Sequence, residues 1–167
     1  MKMFKRFAAA LLVGVMALAM LTACGKEAIV RDTEQEKTAI TLTQNAAKTM
    51  QIKLTEDETV TGIAATGLPA AVDMYNAAMK KDQEALVAAA KDLLTTVNEK
   101  LAAAGKKGVI ISDAVPGNLT EENMKAKFDA LKGQAGNLPA GFTPTKVGAA
   151  VTKKGDYTVF VIIVTNE

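Results

Sequence analysis

Val159-Phe160-Val161-Ile162-Ile163-Val164 is the run that most limits how this chain can fold. Six consecutive apolar residues, five of them β-branched, leave no polar side to turn toward water. β-Branched side chains favour extended backbone, and a strand apolar on both faces must be covered on both. The run also belongs to a hairpin. Lys146–Thr152 and Tyr157–Thr165 read as its strands, with Lys153-Lys154-Gly155-Asp156 as the turn. The rest of the chain must therefore supply cover for two faces of a small sheet.

Helical patterns lie upstream. Thr33-x-x-Glu36 reads as a capping box that opens a helix to about Met50, with Ala39, Leu42, Ala46 and Met50 on one face. The β-branched stretch Thr38–Thr43 also fits a strand. Thr55-x-x-Glu58 is a second box, opening a short helix with Val60 and Ile63 inward that stops near Gly67. Pro69 suits the first turn of another, running to Lys81 with Val72, Tyr75 and Met79 together. Asp82 caps the most regular helix, in which Val87, Ala90, Leu94, Val97 and Leu101 recur at alternating spacings of three and four until Gly105. That pattern lasts barely two heptads, so it marks core packing rather than a coiled-coil seam.

Gly108–Ser112 reads as a short buried strand and Pro116-Gly117 as a turn. Thr120 caps a helix from Glu121 to about Lys132, with Leu119 and Met124 placed as a hydrophobic staple. Met124, Phe128 and Leu131 form its inner face. Gly133–Pro144, with three glycines and two prolines, reads as a loop and is the best candidate for a functional one, Phe142 lying near its end. The bland alternative is a plain connection with Phe142 in the core. The expectation is α+β: N-terminal helices followed by a small antiparallel sheet with a C-terminal β-hairpin.

The first residues follow different rules. Lys2, Lys5 and Arg6 precede an apolar stretch, Phe7–Leu21, that is shorter than the roughly 20 residues a spanning helix needs. Leu21-Thr22-Ala23-Cys24 comes next, and Cys24 is the only cysteine. The segment resembles the lipobox signal peptide of bacterial lipoproteins. The resemblance implies cleavage between Ala23 and Cys24, a diacylglyceryl group on the Cys24 sulfur, and attachment to a bacterial cell membrane on its extracytoplasmic side. Two or more acyl chains give the stable anchoring that one does not. The alternatives are an ordinary secretory signal or an uncleaved anchor. The expected organisation is signal peptide 1–23, lipidated tether 24–32 and a single globular domain 33–167. Cleavage leaves 144 of the 167 residues, enough for one ordinary core.

Composition then excludes function classes. Of 20 basic residues, Lys2, Lys5 and Arg6 leave with the signal, so 17 face 18 acidic ones. No basic surplus argues for nucleic acid. Arg31 is the one arginine left and falls in the expected tether, which predicts that no arginine fork works in the folded domain. Histidine is absent, and with it the usual acid–base group and the commonest metal ligand. Acylation of Cys24 would remove the only thiol.

Ser112, the lone serine, precedes Asp113 and follows Lys106 and Lys107, but no Ser-x-x-Lys or Gly-x-Ser-x-Gly pattern surrounds it. Glu56, Asp57, Glu58, Asp113, Glu121 and Glu122 could in principle furnish a carboxylate pair for glycan hydrolysis. Glu56, Asp57, Glu121 and Glu122 are also what first helical turns prefer. Asn118-Leu119-Thr120 fits a sequon and, equally, a turn followed by a cap.

One weaker resemblance concerns the domain. Val97–Gly105 (VNEKLAAAG) and Lys146–Val151 with its partner strand are similar to the first helix and last hairpin of CAP/SCP-type secreted domains. Leu101 stands where that family has an arginine, the family's two cleft histidines have no counterpart, and the resemblance implies no catalytic or metal site. The expectation is a non-enzymatic binding or interaction module of the cell envelope, without cofactor or metal. Its partners would be the membrane through Cys24, and an envelope protein or a small ligand. The alternatives are a carboxylate-dependent cell-wall hydrolase, or a structural subunit that adds the Lys146–Thr152 edge to another chain.

Overall fold

The computed structural model describes residues 28–134 and 141–166. The chain divides between Val30 and Arg31, and the fold is that of the unit from Arg31 onward. The elements in order are helix α1 (Thr33–Lys48), strand β1 (Thr55–Glu56), helices α2 (Glu58–Lys80) and α3 (Gln83–Ala103), strand β2 (Gly108–Pro116), helix α4 (Glu121–Gln134), and strands β3 (Lys146–Lys154) and β4 (Tyr157–Thr165). The architecture is α+β, as expected.

The sheet order is β1-β3-β4-β2. β4 is central, paired antiparallel to β3 and to β2 along all nine residues. Val159 to Ile163 are fully buried, which fits their apolarity on both faces. Gly155, at φ 57, is the first central residue of the two-residue β3–β4 loop, where a type II′ turn needs glycine. The two-residue β1 pairs parallel with Lys146–Val147, so the sheet is mixed rather than wholly antiparallel.

Alternation along the strands sorts the two faces. Val147, Ala149 and Val151 share one face with Phe160, Ile162 and Val115, and there they meet Ala39, Ile40 and Ala47 of α1 and Met124 of α4. On the opposite face Gly148 and Ala150 oppose Ile163 and Val161, beneath α2. Only glycine fits at 148, because a Cβ there would overlap the Thr61 nitrogen and the Val60 carbonyl carbon of α2. α3 lies on the far side of α2. At Gly67 an added Cβ would come within 2.6 Å of Leu93 and 2.7 Å of Val97.

α2 is thus packed on two sides, which explains why it does not break at Pro69. A proline inside a helix loses one hydrogen bond and clashes with the carbonyl four residues back, at about 3 kcal/mol. Burial of Ala70, Ala71 and Val72 just past the site, with Ala64, Gly67 and Leu68 just before it, holds the helix together. The two short helices expected on either side of Pro69 are one helix of 23 residues.

Local chemistry corrects other expectations. Aspartates cap the first three helices: Asp32 accepts from Gln35 N–H, Asp57 from Val60 N–H and Asp82 from Ala85 N–H. Asp82 was expected, whereas Asp32 and Asp57 displace Thr33 and Thr55. α1 turns Glu36, Ala39, Ile40, Thr43 and Ala47 inward, leaves Leu42 and Ala46 half-buried and exposes Met50. α3 buries Ala89, Leu93, Val97 and Leu101, while Val87 and Leu94 remain 59% and 50% exposed. β2 runs to Pro116 as a half-buried outer strand, longer than Gly108–Ser112 and less buried than expected. α4 keeps its Leu119–Met124 staple, and Thr120 and Asn123 cap each other.

Candidate functional site

Cys24 and Ala23, the expected lipidation and cleavage residues, lie outside the described residues. The structure does describe how the chain enters the domain just after them. Asp32 N–H donates to the Val151 carbonyl at 2.8 Å, and Arg31 bridges to Thr152 in antiparallel sense. The Arg31 guanidinium then forks onto Glu36, Nε to Oε1 and Nη2 to Oε2, both at 2.7 Å. Glu36 Oε1 also accepts the Val151 N–H at 3.2 Å.

Glu36 is only 5% exposed, so this is a carboxylate taken out of water and given three donors in return. The hydrogen bond from Arg31, with the charge of Glu36 behind it, raises the already high pKa of the guanidinium. Arg31 therefore does use its fork in the folded domain, contrary to its expected place in a tether. The signal was present in the sequence: Glu36 sits on the same helical period as Ala39, Ile40, Thr43 and Ala47.

The hydrolase candidates do not converge. Ser112 and Asp113 are neighbours on β2 and project to opposite faces of the sheet. Asp113 pairs with Lys127 of α4 and accepts the Ala114 N–H at 2.7 Å. Lys106 is engaged with Asp57 across 3.5 Å. Partial desolvation pushes the Asp57 carboxyl up, but the Val60 N–H bond and Lys106 outweigh it, and the group lies below its usual pKa. Glu56 is in β1 rather than a first helical turn; Glu58, Glu121 and Glu122 are exposed at helix starts.

Asn118-Leu119-Thr120 turns and caps the chain. Leu119 N–H donates to Gln35 Oε1, and Asn123 Nδ2 donates to the Asn118 carbonyl. Within Gly133–Pro144, residues 133–134 are the end of α4, 135–140 lie outside the described residues, and Phe142 is half-buried.

Among the described residues an open cleft of about 500 Å³ lies between α2 and α3. Its floor is Ala77, Ala85, Ala88 and Ala89, and its walls carry Asp73, Asn76, Lys80, Asp82 and Asp92. Asp82 is committed to its helix cap. Among the described residues no group of three or more His, Cys, Asp or Glu could hold a metal ion.

β3 has little free edge, because β1 borders it at Lys146–Val147 and Arg31–Asp32 border it at Val151–Thr152. The outer strand is β2, blunted by Asp113 bonding its neighbour's N–H and by Pro116 at its end. The segments similar to CAP/SCP-type domains fall at the end of α3 and in β3, and Leu101 is buried beside Gly108. No family model, curated protein or solved structure matches the chain.

Proposed function

We propose that this chain is the precursor of a lipid-anchored protein of the bacterial envelope, cut before Cys24, acylated there, and acting outside the cytoplasmic membrane as a binding or interaction module rather than an enzyme. The observation that carries the reading is Leu21-Thr22-Ala23-Cys24 placed directly after a basic start and a 15-residue apolar stretch. Two features of the domain support it. Among the described residues the core cluster belongs to the unit from Arg31 onward. Among the described residues no helix is long and apolar enough to cross a membrane. The scattering of Ser112, Asp113 and Lys106 supports the non-enzymatic part.

Metabolic labelling with a fatty-acid analogue tests the reading. The wild-type protein takes the label and Cys24→Ala does not. Equal label in both, or a finished protein that retains residues 1–23, defeats it. The cleft between Asp73 and Asp92 favours a second reading, a carboxylate-dependent glycan hydrolase. Cell-wall glycan turnover lost in Asp73→Asn/Asp92→Asn would establish that reading instead.

A further inference from the structure

The structure fixes where the chain enters the domain, and we propose that this orients the protein. The end carrying the β3–β4 turn and the last turn of α2 rests on the bilayer that holds Cys24, and the end carrying β1 points away. The inference rests on acylation at Cys24.

The entry point is beside Val151 and Thr152, close to the turn at Gly155-Asp156. Because Arg31 meets Thr152 in antiparallel sense and Asp32 bonds to Val151, the chain runs from Arg31 into the domain in the direction from the turn toward Lys146. Six residues separate Cys24 from Arg31. The seven Cα-to-Cα steps this makes, at no more than about 3.5 Å each, reach about 25 Å at full stretch. Lys146 lies six residues back along β3, about 20 Å beyond the entry point.

The surface at the near end suits a lipid interface. Tyr75 of α2 packs on Tyr157, the first residue after the turn, with ring centroids 5.4 Å apart. Both tyrosines are half-buried. One helical turn past Tyr75, Met79 is 59% exposed, and Lys80 and Lys81 follow it. A tyrosine pair, an exposed methionine and lysines with long aliphatic stems are groups that sit well where hydrocarbon meets headgroup. Asp82 and Asp156 share this end with Lys80, Lys81 and Lys153. Three lysines against two aspartates leave this end slightly positive, which opposes contact with neither neutral nor anionic lipid.

The test uses the acylated full-length product in phosphatidylcholine vesicles that contain a headgroup-nitroxide lipid. Cys24 is blocked by its acyl group, so a single new cysteine carries the fluorophore. Met79→Cys and Thr59→Cys are both exposed helical sites on α2, twenty residues or about 30 Å apart. Mass spectrometry of the N-terminus establishes acylation separately. We expect quenching at Met79→Cys several-fold above that at Thr59→Cys, and Lys80→Cys to repeat it. Equal or reversed quenching in acylated protein overturns the orientation and leaves the anchor standing. An unacylated product overturns both.

Discussion

Arg31→Met should destabilise the domain far more than a surface ion pair warrants. In the wild type, Glu36 receives two hydrogen bonds from Arg31 and one from Val151 N–H while 5% exposed. Without Arg31 it keeps one donor. Removing one partner of a buried pair costs about 3–5 kcal/mol, and the exposed median is about 0–1 kcal/mol. The Arg31 side chain is 25% exposed, so water reaches this pair from one side and the loss belongs near the lower bound, about 2–3 kcal/mol.

For a domain of this size that is a drop in Tm of roughly 6–12 °C. Arg31→Met/Glu36→Met should be less damaged than Arg31→Met alone, since the stranded charge is gone and only the Val151 N–H is left wanting. The chain has no tryptophan, so urea and thermal unfolding are best followed by circular dichroism on protein lacking the first 24 residues. A loss under about 0.5 kcal/mol for Arg31→Met would refute the argument, because that is the range of an exposed pair. A double variant as unstable as the sum of the single ones would refute it too.

Two further predictions concern the fold. Glycine-to-alanine changes should rank by what the new Cβ meets: Gly148→Ala overlaps α2 backbone and should prevent folding, Gly67→Ala presses on Leu93 and Val97 and should cost about 1–3 kcal/mol, and Gly62→Ala meets nothing and should stabilise by about 0.5–1 kcal/mol in urea melts. Asp57 has a folded pKa below its unfolded value of about 3.9, so it contributes stability above that pH, and the contribution is lost as pH falls through the lower folded value. Asp57→Asn retains a good cap and should flatten the stability profile below about pH 4; a profile that superposes on wild type would remove Asp57 from acid unfolding.

The fold was legible where one physical demand dominated. An apolar run without polar positions had to be the middle strand, and Gly155 had to be a turn. Asp82 was read correctly because nothing nearby competed for the cap. The expected boxes at Thr33 and Thr55 lie one and two residues from the actual caps, Asp32 and Asp57, because each aspartate accepts directly from the third residue on. The break expected at Pro69 was a local inference overridden by tertiary cover on two sides of α2. The error on α3 was one of phase. With alanine at so many positions, Ala89 and Leu93 could take the inward places that Val87 and Leu94 seemed to claim. Arg31 falls outside the expected domain because it lies close to the expected cleavage point, and the inward face expected for α1 counts apolar residues alone and so omits its partner Glu36.

The place of Arg31 bears on the anchor proposed at Cys24. A tether transmits position only from the point where it becomes part of the fold. Here that point is secured by three different bonds within two residues: the Arg31 fork, the Asp32 N–H to Val151, and the Asp32 side chain capping α1. Each could be lost to local fraying alone, because chain ends have few contacts. Together they commit the chain at residue 31 and not several residues later. Had the fold begun at the inward face of α1, near Ala39, the reach from Cys24 would more than double, and the near and far ends of the sheet would be almost equally accessible to the bilayer. Under that proposal the domain's one arginine would shorten the leash through a rigid, bidentate contact, which a lysine, with a single mobile charge on a flexible stem, would do less well.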